Sequence, residues 1–389
     1  MNRWLWLILL GVCLAGVGCG QGERPVTEVT VEEIDGVTYV HNPKVPLHPD
    51  KTVVLEQDLS IGGEDAEGNV ILFSPQFYLA DASGRIWIGE RQDQSFKVFD
   101  SEGNFLKTVG AKGDGPGEFQ SLAYCGFAPD GRLVVSDFRA RRTSVFDREG
   151  NFLSDFKWRN MLSRLHLIRQ NSFVADELIY GDRADEPRLY IRELDFEGQE
   201  LRTFGEFTLP RPKSIRIGNI VMGLSVPQSP ASVFAGDGER GWLYHCLNSE
   251  YSIEVHDAEG RLFRVMDRPY SLQPFTSEEK EEYRGRYDSS PDPELKKLVR
   301  DMELPSFKTV TDRMLVDDQG SLWVVTKEKR DKGGTSQTAV DVFNSEGSYE
   351  ARIWLDFLPG LYKSGKIYRL YEDEETGYRT LKRYSVVWN

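Results

Sequence analysis

The sequence predicts an all-β fold, a six-bladed β-propeller, from a repeat, a regular spacing of turns and an alternation of apolar residues. Residues 84–106 align without a gap on residues 131–153, and Phe-Asp and Glu-Gly-Asn-Phe-Leu recur identically at an offset of 47 residues. In each copy two turn glycines stand 19 residues apart, and the apolar residues between them alternate as in strands. A period of roughly 40 to 50 residues with four antiparallel strands is typical of a propeller blade.

A similar spacing of turns recurs in the later part of the chain. Residues 241–260 again span 19 positions, whereas residues 171–198 and 320–347 each span 27. The eight additional residues lie in polar stretches, so one hairpin in the third copy and one in the fifth are expected to be longer. Five complete blades are thereby predicted.

The sixth blade is predicted to close the ring with a strand from the other end of the chain. It begins at residues 357–362, and the chain reaches Asn389 before a fourth strand is due. Residues 53–62 end in Leu-Ser-Ile-Gly, which parallels residues 107–110 of the first blade. Closure by this segment leaves no unpaired sheet edge. Residues 52–389 are therefore predicted to form one propeller.

Two segments depart from the blade repeat. Residues 29–51 are predicted to form a hairpin that turns at Asp35-Gly36, with a lead-in segment to the propeller, and to pack against the ring. Between blades 4 and 5, residues 275–303 predict a helical insertion, because acidic residues follow a Thr-Ser start and a Pro-Asp-Pro sequence precedes the second helix. The two short helices are expected on one propeller face, either as a cap that fills the channel or as a lid that contacts a ligand or partner.

The N-terminus has the order of an export signal: a basic start, an apolar run over Trp4–Val17, and small residues before Cys19. The run is 14 residues, which is shorter than the ~20 needed to span a bilayer. The ending Ala-Gly-Val-Gly-Cys resembles a bacterial lipobox, although Gly16 stands where that family prefers Leu. The resemblance implies that residues 1–18 are removed and that Cys19 carries the lipid, with residues 19–28 as a tether. An ordinary signal peptide is the alternative.

Composition limits the classes of partner. The chain has 48 Lys and Arg against 62 Asp and Glu, a formal net charge of -14, which argues against a nucleic-acid partner. Beyond the signal and anchor, only Cys125 and Cys246 remain, each in an apolar strand-like run. Both are expected to be buried free thiols.

A family resemblance rests on the second copy of the repeat. It resembles the NHL repeat at Gly113, Gly115, Pro116, Gly117, Glu118, Phe119, Asp130, Gly131, Asp137, Arg142, Phe146 and Asp147. Ala140 departs from that pattern, which prefers Asn. Over roughly residues 30–389 the chain resembles the six-bladed, TolB-like propeller lipoproteins of bacteria. The resemblance implies a fold and a location in the cell envelope, in the outer membrane or facing the periplasm if the cell has two membranes, but no particular chemistry.

The innermost strands supply the candidate site. Propellers that resemble gluconolactonase or regucalcin hold a divalent cation there with Glu, Asn and Asp side chains. Here the polar residues of the predicted innermost strands are Gln76, Ser121, Arg164, His166, Ser232, Thr311, Asp312 and Arg313. One carboxylate beside two guanidinium groups suits an anionic ligand better than a dication. No metal site, cofactor or catalytic set is predicted.

The sequence therefore predicts a lipid-anchored binding or scaffold module of the envelope rather than an enzyme. Its binding face is expected to carry the insertion, with Arg164, His166, Asp312 and Arg313 as channel-side contacts. The expected partners are the membrane, through the lipid, and an unknown protein or small anionic ligand. The alternative is a hydrolase or lyase with a lactonase-like site at the channel mouth.

Overall fold

The computed structural model describes residues 28–63, 72–179, 187–208, 213–217, 220–224, 226–373 and 375–389. Three strands precede the first blade: β1 (Thr30–Ile34), β2 (Val37–His41) and β3 (Val53–Gly62). Blade 1 contains β4 (Pro75–Ala80), β5 (Ile86–Glu90), β6 (Ser95–Phe99) and β7 (Phe105–Val109). Blade 2 contains β8 (Leu122–Phe127), β9 (Leu133–Asp137), β10 (Arg142–Phe146) and β11 (Phe152–Lys157). Blade 3 contains β12 (Met161–Ile168), β13 (Ser172–Ile179), β14 (Arg188–Asp195) and β15 (Glu200–Thr208).

The second half adds two insertions to the same plan. A hairpin of β16 (Lys213–Ile217) and β17 (Ile220–Leu224) precedes blade 4, which contains β18 (Ser232–Asp237), β19 (Trp242–Leu247), β20 (Ser252–His256) and β21 (Leu262–Asp267). Helices α1 (Ser277–Gly285) and α2 (Pro293–Arg300) follow. Blade 5 contains β22 (Thr311–Val316), β23 (Leu322–Lys332), β24 (Thr335–Phe343) and β25 (Tyr349–Leu355). Blade 6 begins with β26 (Leu361–Lys363), β27 (Lys366–Glu372) and β28 (Arg379–Trp388).

The fourth strand of blade 6 comes from the other end of the chain, as predicted. Strand β3 pairs antiparallel with β28, from Val53 opposite Trp388 to Gly62 opposite Thr380. The ring of six four-stranded antiparallel blades is therefore closed by hydrogen bonds between the first and last strands of the propeller, and the predicted fold class is confirmed.

The N-terminal hairpin enlarges one blade. Strands β1 and β2 pair about a turn in which Asp35 and Gly36 both have positive φ, 51° and 81°. Strand β2 then pairs in parallel with β21, so that blade 4 becomes a six-stranded sheet. The hairpin thus lies at the circumference of the ring.

The two faces of the ring differ. Because neighbouring strands of a blade are antiparallel, the connections between second and third strands, and those between blades, lie on one face. This face, named here the helix face, carries α1, α2, the β16–β17 hairpin and the two extended hairpins β13–β14 and β23–β24. The opposite face, named the turn face, carries short turns such as the one closed by Gly150 N–H donating to Asp147 O at 2.9 Å.

The turn face fixes the packing between blades. Gly150 has φ of 80°, and a Cβ there would lie 2.6 Å from Val109 of the preceding blade, so the turn requires glycine for both reasons. The turn aspartates also reach into the core. Asp81 accepts from Nε1 of the fully buried Trp87 at 3.2 Å, and Asp317 accepts from the equivalent Trp323 at 3.0 Å.

Both cysteines of the propeller are free thiols, as predicted. Cys246 is buried, whereas Cys125 is half-buried on the innermost strand β8. Neither helix of the described ranges has the length and apolarity needed to cross a membrane.

Candidate binding cleft beneath helix α1

The helical insertion starts with two well-capped helices. Thr276 accepts from the backbone N–H of Glu279, and the Glu279 carboxylate accepts from the Thr276 N–H, which completes a capping box. Asp292 caps α2 by accepting from the N–H groups of Glu294 and Leu295, and Pro293 occupies the first helical position. The predicted insertion is thus two short helices on the helix face.

Helix α2 is held by an apolar stripe. Leu295 and Val299 are buried, and Met302 continues the same side of the helix just after its end. These side chains pack with Leu224 of β17 in one apolar cluster. Such a stripe at helical spacing is the ordinary way in which a helix attaches to a protein core.

Helix α1 differs, because it has no buried residue. Between α1 and blade 5 lies a cavity of about 360 Å³, which we name the α1 cleft. The side of α1 that lines this space carries Glu279, Glu282 and Tyr283, and Arg286 follows directly after the helix, at the i, i+3, i+4, i+7 spacing of one helix face. Tyr283 also packs against the apolar cluster of α2.

Charged side chains from blade 5 and its lead-in form the opposite wall of the α1 cleft. Lys308 Nζ lies 2.5 Å from Glu279 Oε1 and connects this wall to α1. Lys327, on β23, pairs with Asp312, on β22. Burial opposes ionisation of Asp312, but the hydrogen bond and charge of Lys327, with the charge of Arg313, hold the pKa of Asp312 below its ordinary value. Lys329 is exposed at the rim, and its side chain is in no ion pair with the described residues.

The predicted residues Asp312 and Arg313 contact each other, since Arg313 Nε donates to Asp312 Oδ2 at 3.4 Å, but their surroundings differ. Strand β22 has a register shift between Thr311 and Arg313, and Asp312 lines the α1 cleft. Arg313 Nη1 donates to Pro359 O at 3.4 Å, in the connection to blade 6, and Arg313 is not among the residues that line the cleft. Only Asp312 of the four predicted contacts therefore lines this cleft.

The other two predicted residues lie in blade 3. The His166 side chain is 7% exposed, with Nε2 2.5 Å from Asp176 Oδ1 and its ring centroid 4.3 Å from that of Phe234 in blade 4. Its position is between blades rather than open to the channel. Arg164 is exposed on the innermost strand β12. The four residues are thus not brought together in one site.

A second polar cluster joins blades 3 and 4. Glu254 Oε2 lies 3.3 Å from His245 Nδ1 and 3.5 Å from His256 Nε2. Phe204 and Phe207 pack against these imidazoles. Within the described ranges, no group of three or more His, Cys, Asp and Glu has the geometry of a metal site. The cluster is a packed interface with only about 30 Å³ of free space.

Most of the residues that line the α1 cleft were not predicted from the sequence. Lys308 and Lys327 are separated from α1 along the chain, and their convergence depends on how the insertion folds back onto blade 5. A signal was nevertheless present in the sequence of α1: charged side chains at i, i+3 and i+7, with Tyr283 as the one aromatic residue among them, give no continuous apolar stripe with which to pack.

Comparisons with known proteins agree on the fold. A family described as "6-bladed beta-propeller" matches residues 78–204. No curated protein shows significant similarity to the chain. A solved structure named "Putative exported protein", from Bacteroides fragilis, covers 90% of this chain and 99% of its own length at 10% identity, with a TM-score of 0.50. The chain is similar to that protein in fold.

Two further solved structures are more distant in shape. A member of the duf4221 family from Bacteroides vulgatus has 9% identity and a TM-score of 0.48, covering 87% of this chain and 98% of its own. Virginiamycin B lyase from Staphylococcus aureus has 9% identity and a TM-score of 0.42, covering 86% of this chain and all of its own. At these values the similarity carries no inference about activity.

Proposed function

We propose that this protein is an exported binding module that takes a small anionic ligand into the α1 cleft. The observation that carries the proposal is the contrast between the two helices of the insertion. Helix α2 buries Leu295 and Val299 and so attaches the insertion to the ring, whereas α1 buries no residue and directs the charged side chains of Glu279 and Glu282 toward a cavity. A helix that served only as a cap would be expected to fill that space with apolar side chains.

The charges around the α1 cleft favour an anion. The basic side chains at the cleft are Lys308, Lys327, Lys329 and Arg286, against the acidic Glu279, Glu282 and Asp312. Glu279 and Asp312 are already paired with lysines. A carboxylate, phosphate or sulfate group could approach Lys329 directly, and it could share Lys327 with Asp312.

The test compares two lysines of the same strand. Lys329 lines the cleft, whereas Lys332, three residues further on at the exposed end of β23, does not. The wild type and the Lys329→Glu and Lys332→Glu variants are screened by thermal shift against a panel of small carboxylates, phosphates and sulfates. A ligand that binds the folded state should raise the melting temperature of the wild type and of Lys332→Glu, but not that of Lys329→Glu. The proposal is contradicted if no compound of the panel raises the melting temperature of the wild type, or if the compounds raise the melting temperatures of both variants equally.

Export and anchoring complete the proposal. The apolar run before Cys19 and the lipobox resemblance support a lipid-anchored location in a bacterial envelope, and the name of the Bacteroides fragilis relative agrees with export. Metabolic labelling with a fatty acid should mark the wild type but not Cys19→Ser. An unlabelled wild type contradicts the anchor and leaves the cleft proposal intact.

A further inference from the structure

A basic surface on blades 1 to 3 contrasts with the acidic chain. Residues 138–164 contain seven Lys and Arg against three Asp and Glu, although the whole chain has a net charge of -14. Seven of the described arginines of blades 1 to 3 are exposed. Arg148 and Arg188 pair with carboxylates, and the other five are Arg91, Arg139, Arg141, Arg159 and Arg164. None of the five pairs with a carboxylate of the described residues, whereas most other arginines of the ring do. We name these five residues the arginine patch.

The topology places the arginine patch on the helix face. Arg91 follows β5, and Arg139 and Arg141 lie between β9 and β10, so these three belong to connections between second and third strands. Arg159 lies between blades 2 and 3, where its carbonyl accepts from Arg141 Nη2 at 3.0 Å. Arg164 follows on the innermost strand of blade 3. The patch therefore extends along one sector of the helix face, and α1 lies over a different sector, at blade 5.

An aromatic hollow lies beside the arginine patch. It has a volume of about 490 Å³ and lies where the innermost strands of blades 1 and 2 begin. Phe77, Tyr124 and Phe138 line it together with Gln76 and Ser121. Phe138 is 45% exposed, directly before Arg139, and the rings of Phe77 and Tyr124 are 6.4 Å apart.

We propose that the arginine patch and this hollow bind an acidic polysaccharide. Guanidinium groups pair with carboxylate or sulfate in a planar, bidentate geometry. The exposed Phe138 and the half-buried Phe77 and Tyr124, with an amide and a hydroxyl beside them, suit the apolar face and the hydroxyl groups of a sugar ring. Arginines spread over three blades match a polymer with repeated anionic groups better than one small ion. This surface is separate from the α1 cleft, so either proposal can fail alone.

The test uses the full chain in detergent and polygalacturonate as the probe, with methyl-esterified polygalacturonate as an uncharged polymer of the same rings. Arg139→Glu/Arg159→Glu should weaken polygalacturonate binding by about tenfold, because two attractive contacts become repulsive. The matched control reverses two exposed arginines of the turn face, Arg148→Glu/Arg261→Glu, whose side chains are 76% and 74% exposed. The control should bind as the wild type does, and the methyl ester should not bind.

Three results with the probe polymers and the arginine variants would overturn the proposal. The first is a wild type that does not bind polygalacturonate, and the second is equal loss of binding in both double variants. The third is equally tight binding of polyglutamate or of anionic lipid vesicles, which would replace the polysaccharide with an acidic peptide or a membrane surface. The Phe138→Ala variant adds a test of the aromatic contact: it should weaken polygalacturonate binding at an unchanged melting temperature, and unchanged binding would also contradict the proposal.

Discussion

At the scale of single residues, a buried carboxylate joins blades 4 and 5. Asp341 is fully buried; its Oδ2 accepts from Tyr251 at 2.6 Å and from Arg268 Nη2 at 2.8 Å. Its Oδ1 accepts from Tyr349 and from Arg352 Nε, each at 2.7 Å. Burial opposes ionisation, but the charges of Arg268 and Arg352 hold the pKa of Asp341 below its ordinary value. The charge is therefore retained because two guanidinium groups surround it.

Replacing this carboxylate should be strongly destabilising. Asp341→Asn leaves the Arg268 guanidinium, whose side chain is 2% exposed, without its charge partner in the core. The expected loss in the free energy of unfolding is about 3–5 kcal/mol, measured by urea denaturation. Asp331→Asn, at the exposed tip of the blade 5 hairpin, is the control. A loss no larger than that of the control would show that the network contributes little.

The interface between blades 3 and 4 should depend on pH. Hydrogen bonds from His245 and His256 lower the pKa of Glu254 to about 2, from an ordinary value of 4.5. Because the pKa is lower in the folded state, the ionised carboxylate stabilises the fold above pH 4.5, and this contribution is lost as the pH falls toward 2. The melting temperature of the wild type should therefore be higher than that of Glu254→Gln at pH 6, and this difference should shrink as the pH falls to 3. The exposed Glu250→Gln is the control, and a constant difference would refute this account.

At the scale of elements, ring closure rests on one strand. Strand β3 pairs with β28 along its whole length, and Trp388 at the end of that ladder packs against the fully buried Trp323 of blade 5. Deleting residues 53–62 should abolish the cooperative thermal transition near the wild-type temperature, because it opens the ring and exposes an edge.

Strand β1 supplies the matched deletion for this test. All five of its residues are exposed, and it is the outermost strand of the sheet of blade 4. Its removal leaves β2 as the edge and the ring closed. Deleting residues 30–34 should therefore change the melting temperature far less than deleting β3. If both deletion variants melt at the temperature of the wild type, β3 does not hold the ring together.

At the scale of the whole molecule, the fold followed from the repeat. Asp-x-x-Gly turns and alternating apolar residues are local features, so blades 1 and 2 and the eight-residue extensions could be predicted from sequence alone. The closing strand was predictable because a four-stranded period left one strand missing. The β16–β17 hairpin was not predicted, and neither was the parallel pairing of β2 with β21. Both lie outside the repeat, where no second copy indicates the pairing.

The candidate site was harder to predict, because side-chain direction on the innermost strands depends on register. Strand β12 shifts register between Leu162 and Leu165 and again between Leu165 and Leu167. Each irregularity reverses the side on which the following residues point. Simple alternation therefore could not place His166, which packs between blades. The same holds for β22, where the shift lies at Asp312: alternation could not show that Asp312 lines the α1 cleft while Arg313 reaches the connection to blade 6.

The most direct test of the account is hydrogen exchange of the full chain, measured with and without the anion that most raises the melting temperature in the ligand screen. If the α1 cleft is the binding site, exchange should slow in residues 277–285 and in the segments around Lys308 and Lys327. The turns of the turn face should show no change. Protection confined to other parts of the ring, with α1 unaffected, would contradict the proposed site.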